Sequence, residues 1–302
     1  MKLIKNAKII LENKILNNAS MLFSNKIEKI NSIYDNQNKD VQIIDADGAY
    51  LSPGFIDIHI HGSGGSDTME ASLDALDNIS KTIAKHGVTG FLATTMTMEE
   101  KSIKKALYTI RQAKNEGLSG ADPLGVHMEG PFINKEYKGA QAADNIETPK
   151  LELIKDYYDL IKIVTLAPEM KGAEEFIRAI TERGIVASVA HSSASYEKIK
   201  EAESWGLSHA AHLFNAMTGL HHRRPGIVGA VLEGDMSAEL IADYIHINEA
   251  VLNLVTKVKN TSDIILVTDA MEAGGLDDGE YTLGGQKVYV KTAEARLADG
   301  TI

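Results

Sequence analysis

Six side chains able to bind a metal ion or move a proton stand at or near the ends of apolar stretches of this sequence. They are His59, His61, Glu129, His191, His212 and Asp269. A glutamate at the end of a buried strand is rarely stable unless it is paired or bound to a metal. Imidazole and carboxylate groups are common ligands of zinc and related divalent ions. The pattern therefore predicts that these side chains share one metal site.

Glu129, His191 and His212 would form a set of two histidines and one carboxylate. Such a set leaves a coordination position open for water, which is typical of hydrolytic sites. Asp269 follows an apolar run and would be the general base that faces this water. The alternative for Asp269 is a carboxylate that caps a loop by accepting hydrogen bonds from nearby amides.

His59 and His61 belong to one strand, and side chains two residues apart point to the same face of a strand. They are either a second pair of metal ligands or two histidines bonded to the backbone. The same alternation places His209 on the face opposite His212, toward the helices, as an ordinary histidine. His127 would support Glu129 from the same strand face.

Apolar runs alternate with amphipathic stretches from Ser52 onward, which is the pattern of a parallel sheet covered by helices. The eight predicted strands end near His61, Thr94, Glu129, Glu169, His191, His212, His246 and Asp269. Predicted helices include Leu73–His86, Met98–Asn115, Pro149–Leu160, Ala173–Arg183 and Tyr196–Trp205. Polar residues at the carboxyl ends of strands favour an α/β fold of the (β/α)8 TIM-like barrel type. An open, doubly wound sheet is the second possibility.

The barrel is expected to cover residues 52–280, after a small β-sandwich-like domain in residues 1–51. The β-prone pieces of that domain are Lys2–Leu11, Ser20–Phe23, Ile27–Ile33 and Val41–Ile44. Residues 281–302 predict a β-hairpin instead of the eighth helix that a barrel needs. We therefore expect the C-terminus to be truncated, without the closing helix and the strands that would pair with residues 1–51.

The composition of the chain restricts the classes of molecule that it can bind. The net charge of −11 and the scattered lysines and arginines argue against nucleic acid and anionic lipid. The absence of cysteine excludes disulfides, thiolate metal sites and a cysteine nucleophile. Lys2, Lys5 and Lys8 interrupt any signal-peptide core, and no apolar run has the length of a membrane span. We expect a cytoplasmic protein with a small-molecule substrate.

Several short motifs carry a resemblance to a known family. They are His59-x-His61 after Pro-Gly-Phe-Ile-Asp, His127-Met-Glu129-Gly-Pro-Phe, Leu-Ala-Pro-Glu169, Ala-His191-Ser, His212-Leu-Phe-Asn215-Ala216-Met217 and Val-Thr-Asp269-Ala. In this order the chain resembles the N-acetylglucosamine-6-phosphate deacetylases of the amidohydrolase superfamily. The second and fifth motifs are specific to that family, whereas His-x-His and the last aspartate occur throughout the superfamily.

The resemblance implies hydrolysis of the acetamide of N-acetylglucosamine 6-phosphate, in amino-sugar catabolism, by a homodimer. It implies one or two divalent metals per chain (Zn, Fe, Mn or Co). Glu129, His191 and His212 would hold the catalytic metal, His59 and His61 would supply the second site, and Asp269 would be catalytic. The substrate pocket would be lined by Ala140, Gln141, Asn215, Ala216, Arg223 and His246.

Two of these residues have a chemical argument of their own. Arg223 suits a phosphate group because its guanidinium is a planar fork with a permanent charge. Without the family resemblance, a solvated turn would be the preferred interpretation of the basic loop around it. Gln141 stands where some relatives have a histidine that polarises the carbonyl, and an amide can donate a hydrogen bond but cannot become cationic.

The rival readings are another amidohydrolase and a non-catalytic barrel scaffold. Cyclic-amide hydrolases of the superfamily typically use a modified lysine at the end of strand four, but Ile161–Glu169 has only Lys162, at its start. Deaminases of the adenosine type have an acid shortly after the fifth-strand histidine, and His191-Ser-Ser-Ala-Ser offers none. Neither pattern favours another amidohydrolase. The presence of every predicted ligand and of Asp269 argues against a scaffold, whereas the expected truncation leaves that alternative open.

Overall fold

The computed structural model describes residues 1–31 and 41–301, and the chain divides into two compact units, Met1–Phe55 and Ile56–Ile302. The first unit is a five-stranded sheet in the order β3-β2-β1-β4, with β5 paired to β1. Its strands are β1 Lys2–Leu11, β2 Lys14–Phe23, β3 Ile27–Ile30, β4 Gln42–Asp45 and β5 Tyr50–Leu51. The predicted strand Ile27–Ile33 therefore ends at Ile30 in the structure, and its positions 32 and 33 lie outside the described residues.

The second unit is built on eight parallel strands that follow one another in chain order around the sheet. They are β6 Phe55–Ile60, β9 Val88–Thr95, β10 Asp122–Glu129, β11 Ile161–Leu166, β12 Val186–Val189, β13 Leu207–Ala210, β14 Ser237–Ile241 and β15 Ile264–Val267. A doubly wound sheet would reverse its strand order at a switch point, and this sheet does not. The predicted (β/α)8 barrel is confirmed.

The outer layer consists of six α-helices among the described residues. They are α1 Leu73–Ala84, α2 Glu100–Glu116, α3 Ala173–Thr181, α4 Tyr196–Glu203, α5 Gly226–Glu233 and α6 Glu249–Val258. Helix α3 shows why they pack as they do, because Ala173, Ile177 and Ile180 recur on one face and are all buried. These side chains join the apolar residues of the strands in one continuous core. None of the described helices has the length and apolar character that a membrane span needs.

The predicted helix Pro149–Leu160 is wrong. The segment instead forms two separate 3-10 turns, Leu151–Leu153 and Lys155–Tyr157. Ile154 joins them with φ −115° and ψ −8°, a conformation that interrupts the hydrogen-bond ladder of an α-helix.

Three antiparallel strands follow the barrel. They are β16 Gly279–Leu283, β17 Gln286–Lys291 and β18 Glu294–Leu297, in the order β16-β17-β18. A smaller antiparallel pair, β7 Gly62–Ser63 and β8 Ser66–Asp67, follows the first barrel strand. Both features lie on the side of the barrel where the strands end.

Candidate active site

The proposed ligands reach the mouth of the barrel through a repeated backbone feature. His191, His212 and Asp269 each lie two residues after the last residue of a strand, and each has positive φ, of 47°, 30° and 49°. Left-handed backbone at a residue other than glycine costs about 1–3 kcal/mol and persists where the surroundings enforce it. The turn ends the strand abruptly and keeps the side chain over the barrel axis. Glu129 needs no such turn because it is itself the last residue of β10.

The carboxylate of Glu129 is the centre of the cluster. Its Oε1 lies 2.9 Å from His212 Nε2, 3.2 Å from His191 Nε2 and 3.3 Å from His59 Nε2. Its Oε2 lies 3.4 Å from His61 Nε2. Five predicted metal ligands, from four different strands, therefore meet at one point.

Asp269 completes the cluster from β15. Its Oδ1 lies 3.4 Å from the Nε2 atoms of both His59 and His61. Its side chain is 21% exposed, whereas that of Glu129 is 3% exposed. Asp269 is therefore the member of the cluster that a molecule in the cavity can reach most easily.

The donor set fits a divalent cation. His59 Nε2 is buried and has no hydrogen-bond partner among the described residues, although it points at two carboxylates. The ligand atoms of His59, Glu129 and His212 all lie within 4.8 Å of one another, as do those of His59, His61 and Asp269. Nitrogen and carboxylate oxygen ligands are compatible with zinc, iron, manganese and cobalt, so the ligands do not identify the metal.

The electrostatics of the cluster also favour a bound cation. Burial opposes ionisation, but the charges and hydrogen bonds of His191, His212 and His59 lower the pKa of Glu129 well below its usual value. Burial also opposes protonation of His61, yet Asp269 and Glu129 raise the pKa of His61 to about 9. The buried carboxylates thus favour positive charge beside them, which a divalent cation would also supply, and metal binding to histidine and carboxylate ligands releases protons.

A second, deeper layer of charge was not foreseen from the sequence. Glu239, in the middle of β14, is completely buried and lies 2.7 Å from His59 Nδ1 and 3.0 Å from His209 Nε2. The expectation that His209 faces the helices is therefore wrong. The available signal was a charged residue inside the apolar strand Ser237–Ile241. His127 packs on His59 with ring centroids 4.4 Å apart, and it bonds to the backbone of β6 rather than to Glu129.

A cavity of about 580 Å³ opens above the cluster. The expected substrate residues that line it are Ala140, Gln141, Asn215, Ala216 and His246. Gln141 is buried, and its Oε1 accepts the Thr97 N–H at 2.7 Å while its amide group donates to Glu129 Oε2. The lining also contains three cationic side chains that were not predicted to be there, Lys135, Lys138 and Arg296.

Arg223 is the expected substrate residue that the structure does not bring to this cavity. It is exposed and lines a neighbouring cavity of about 460 Å³ together with Arg224. The loop that carries both arginines is closed by a bridge between His221 and Arg224. Within one chain, the expected contact of Arg223 with the substrate pocket is therefore not formed.

Comparisons with known proteins agree with this geometry. Residues 50–280 match the family model described as the amidohydrolase family. The chain is 41% identical over 309 residues to N-acetylglucosamine-6-phosphate deacetylase of Bacillus subtilis, across 99% of this chain and 78% of that protein. It is 37% identical over 272 residues to N-acetylgalactosamine-6-phosphate deacetylase of Escherichia coli O157:H7, across 87% of this chain and 72% of that protein.

A solved structure is similarly close. The crystal structure of N-acetylglucosamine-6-phosphate deacetylase from Pasteurella multocida matches with a TM-score of 0.92 and 31% identity, over 99% of this chain and 79% of that chain. The chain thus belongs to the amidohydrolase family and, within it, to the family of N-acetylglucosamine-6-phosphate deacetylases.

Proposed function

We propose that the protein hydrolyses N-acetylglucosamine 6-phosphate to glucosamine 6-phosphate and acetate, in amino-sugar catabolism. The observation that carries the proposal is the convergence of Glu129, His191, His212 and Asp269 at the floor of one cavity. The Bacillus and Pasteurella relatives are named for this reaction. The E. coli relative is named for the galactosamine epimer, so both sugars belong in the assay.

Glu129, His191 and His212 would hold the catalytic divalent metal, and His59 with His61 would provide a second site. When bound, such a cation supplies Lewis-acid polarisation of a carbonyl and lowers the pKa of water. The choice among zinc, iron, manganese and cobalt, and the number bound, belong to the test.

Asp269 is the proposed general base and acid. Burial opposes its ionisation, but the neighbouring His59 and His61 lower the pKa of Asp269 below its usual value, so it is ionised at neutral pH. It accepts a proton from water as the water oxygen adds to the acetamide carbon. It then donates that proton to the sugar nitrogen as the carbon–nitrogen bond breaks, which releases acetate and the amine.

Gln141 is the proposed hydrogen-bond donor to the acetamide oxygen. The Thr97 N–H holds Gln141 Oε1, so the amide NH2 is directed toward the metal-binding cluster. Removing one such donor typically lowers the rate by about 10²–10³-fold. Because an amide is neutral, the metal would contribute more of the stabilisation than in relatives with a histidine.

The phosphate group needs a cationic contact. The cavity lining can provide this contact from the same chain through Lys135, Lys138 and Arg296, whereas Arg223 lines the neighbouring cavity.

We further propose a homodimer that acts in the cytoplasm, with a small-molecule amino-sugar phosphate as its partner. Light scattering that gives the mass of one chain in solution would contradict the dimer.

Acetate release tests the activity directly. The purified, metal-loaded protein is incubated with the 6-phosphates of N-acetylglucosamine and N-acetylgalactosamine, and with unphosphorylated N-acetylglucosamine, with and without a chelator. We expect chelator-sensitive release, fastest from N-acetylglucosamine 6-phosphate. Asp269→Asn should lower kcat by about 10²–10⁴-fold, because an amide cannot take the proton, while the metal held by Glu129, His191 and His212 stays bound. Activity that survives both the chelator and this substitution would rule the mechanism out.

A further inference from the structure

We propose that Glu239 is a positioning residue that orients His59 for metal binding. The inference rests on the proposed function, because it assigns a role toward the metal centre of that site. It concerns a carboxylate that is not among the residues lining the cavity above the cluster. Glu239 lies on β14 beneath the cluster and is 0% exposed.

The charged or titratable side chains that contact Glu239 are all histidines in the described part of the chain. They are His59 at 2.7 Å, His209 at 3.0 Å and His127 at 3.9 Å. A carboxylate buried without lysine or arginine is costly, and a protein retains it only where each oxygen is hydrogen-bonded. Both oxygens of Glu239 meet this condition, which indicates a defined task.

One oxygen of Glu239 contacts the ring of His59 and the backbone of His212. Oε2 lies 2.7 Å from His59 Nδ1 and 3.2 Å from the backbone N of His212. An ionised carboxylate only accepts hydrogen bonds, so His59 Nδ1 must carry the proton. The lone pair then lies on His59 Nε2, the buried atom that faces Glu129 and Asp269 without a hydrogen bond of its own. Glu239 thereby selects the nitrogen of His59 that is presented to a metal.

The other oxygen of Glu239, Oε1, is held by a residue of the neighbouring strand β13. His209 Nε2 lies 3.0 Å from Oε1, and His209 Nδ1 lies 2.7 Å from Ser237 Oγ. The Ser237 hydroxyl can donate to Nδ1, which leaves the proton on Nε2 to be donated to Glu239. The series Ser237, His209, Glu239 and His59 therefore joins strands β14, β13 and β6 beneath the metal centre. Carboxylates in this relation to ligand histidines fix both the tautomer and the ring orientation.

Zinc binding tests the inference without reference to catalysis. Zn²⁺ is titrated into the metal-free wild-type protein, Glu239→Gln, His59→Asn and the double variant, in competition with a zinc-binding dye. We expect Glu239→Gln to weaken zinc binding by about 10–100-fold. In the His59→Asn background the same substitution should add little, because the residue through which it acts is gone.

A purely structural role would give a different result. If Glu239 only fills the barrel, Glu239→Gln lowers the unfolding free energy of the metal-free protein but leaves zinc affinity within about twofold, and the inference is overturned. An equal loss of affinity in both backgrounds also overturns it. Nitrogen-15 NMR of histidines in the zinc-loaded wild type should show His59 protonated at Nδ1, and a proton at Nε2 would contradict the assignment.

A second variant keeps the test valid if Glu239→Gln does not fold. His209→Leu removes the hydrogen bond to Oε1 and should weaken zinc binding in the same direction by a smaller factor. It should have no further effect beside His59→Asn. Wild-type protein that binds no zinc, manganese, iron or cobalt would overturn the proposed function together with this inference. Wild-type binding with an unchanged Glu239→Gln would overturn this inference alone.

Discussion

His127 is a neutral buried base within a cluster of charges. Its Nδ1 lies 2.9 Å from the Ile58 carbonyl oxygen and its Nε2 lies 2.7 Å from Thr165 Oγ1. Burial, together with the charge on His59, lowers the pKa of His127 to about 3. Between pH 6.5 and pH 3 the unfolded chain therefore binds a proton at this residue that the folded chain does not bind. The stability that depends on neutral His127 is present above pH 6.5 and is lost as the pH falls toward 3.

We expect His127→Gln to reduce the acid sensitivity of the fold. From pH 7 to pH 5, one such histidine removes about 2 kcal/mol from the unfolding free energy. The variant should lose about that much less over the same interval, even if it is less stable at both pH values. Urea denaturation of the metal-free proteins measures the difference, with the exposed His86→Gln as control. An identical pH dependence in wild type and His127→Gln would show that folding does not lower the pKa of His127.

At the scale of single elements, the predicted strand ends lie within two residues of the observed ones, except that the strands expected to end near Glu169 and His246 end at Leu166 and Ile241. Glu129 could be recognised because a carboxylate that ends an apolar run needs a partner. The prediction for His209 fails because it assumes that side chains alternate between the two faces of an extended strand all the way to His212. The strand ends at Ala210 and His212 has a φ of 30°, so alternation fails there and both histidines face the interior.

Glu239 and Arg223 show the limit of sequence reasoning in another way. The partner of Glu239 is His59, 180 residues earlier in the chain, and only the closed barrel brings the two together. Arg223 is expected in the substrate pocket because of the family resemblance, and its position depends on the path of an irregular loop. Chemical type predicted which residues are able to act, and the register of strands and loops decided which ones meet.

Strand β17 contacts the loop that carries Ala140 at the mouth of the cavity. Its first residue, Gln286, donates a hydrogen bond to the Ala140 carbonyl oxygen, next to the proposed donor Gln141. Leu283 and Val288 line the cavity beside this contact. We expect Gln286→Ala to raise KM for the phosphorylated sugar by about 2–10-fold, the effect of one lost hydrogen bond, with kcat little changed. Steady-state kinetics of acetate release measure both constants.

The neighbouring Lys287 supplies the matched control. It lies on the opposite face of the strand, with an exposed ion pair to Glu280 at 3.7 Å, and exposed pairs contribute little. Lys287→Ala should therefore leave KM unchanged. Equal effects of the two substitutions would mean that the strand does not position the loop that carries Ala140.

At the scale of the whole barrel, the backbones of the first strand and of the segment that follows the last strand pair near the proposed metal-binding cluster, and the Thr268 hydroxyl donates to Asp57 beside them. The Asp269 N–H donates to the His59 carbonyl oxygen at 2.9 Å, and the His61 N–H donates to the Ala270 carbonyl oxygen at 2.8 Å. An isolated bridge between Ile60 and Ala270 lies beside them. The interior strands, in contrast, pair along several consecutive residues, as β10 does with β11 and β9. The seam of the barrel is therefore also the place where the proposed second metal would be held.

A metal held by His59, His61 and Asp269 would join the two edge strands across this seam. Any opening that separates them must release the ion, so the free energy of opening rises with metal concentration. At a free metal concentration of 100 times Kd, hydrogen exchange at the amides of His61 and Asp269 should slow by about 100-fold. In the metal-free protein these two amides should exchange faster than that of Val164, which lies within the sheet between β10 and β12. Hydrogen exchange followed by NMR or mass spectrometry, with and without zinc, measures this. Seam amides that exchange as slowly as Val164 without metal would mean that backbone pairing alone closes the barrel.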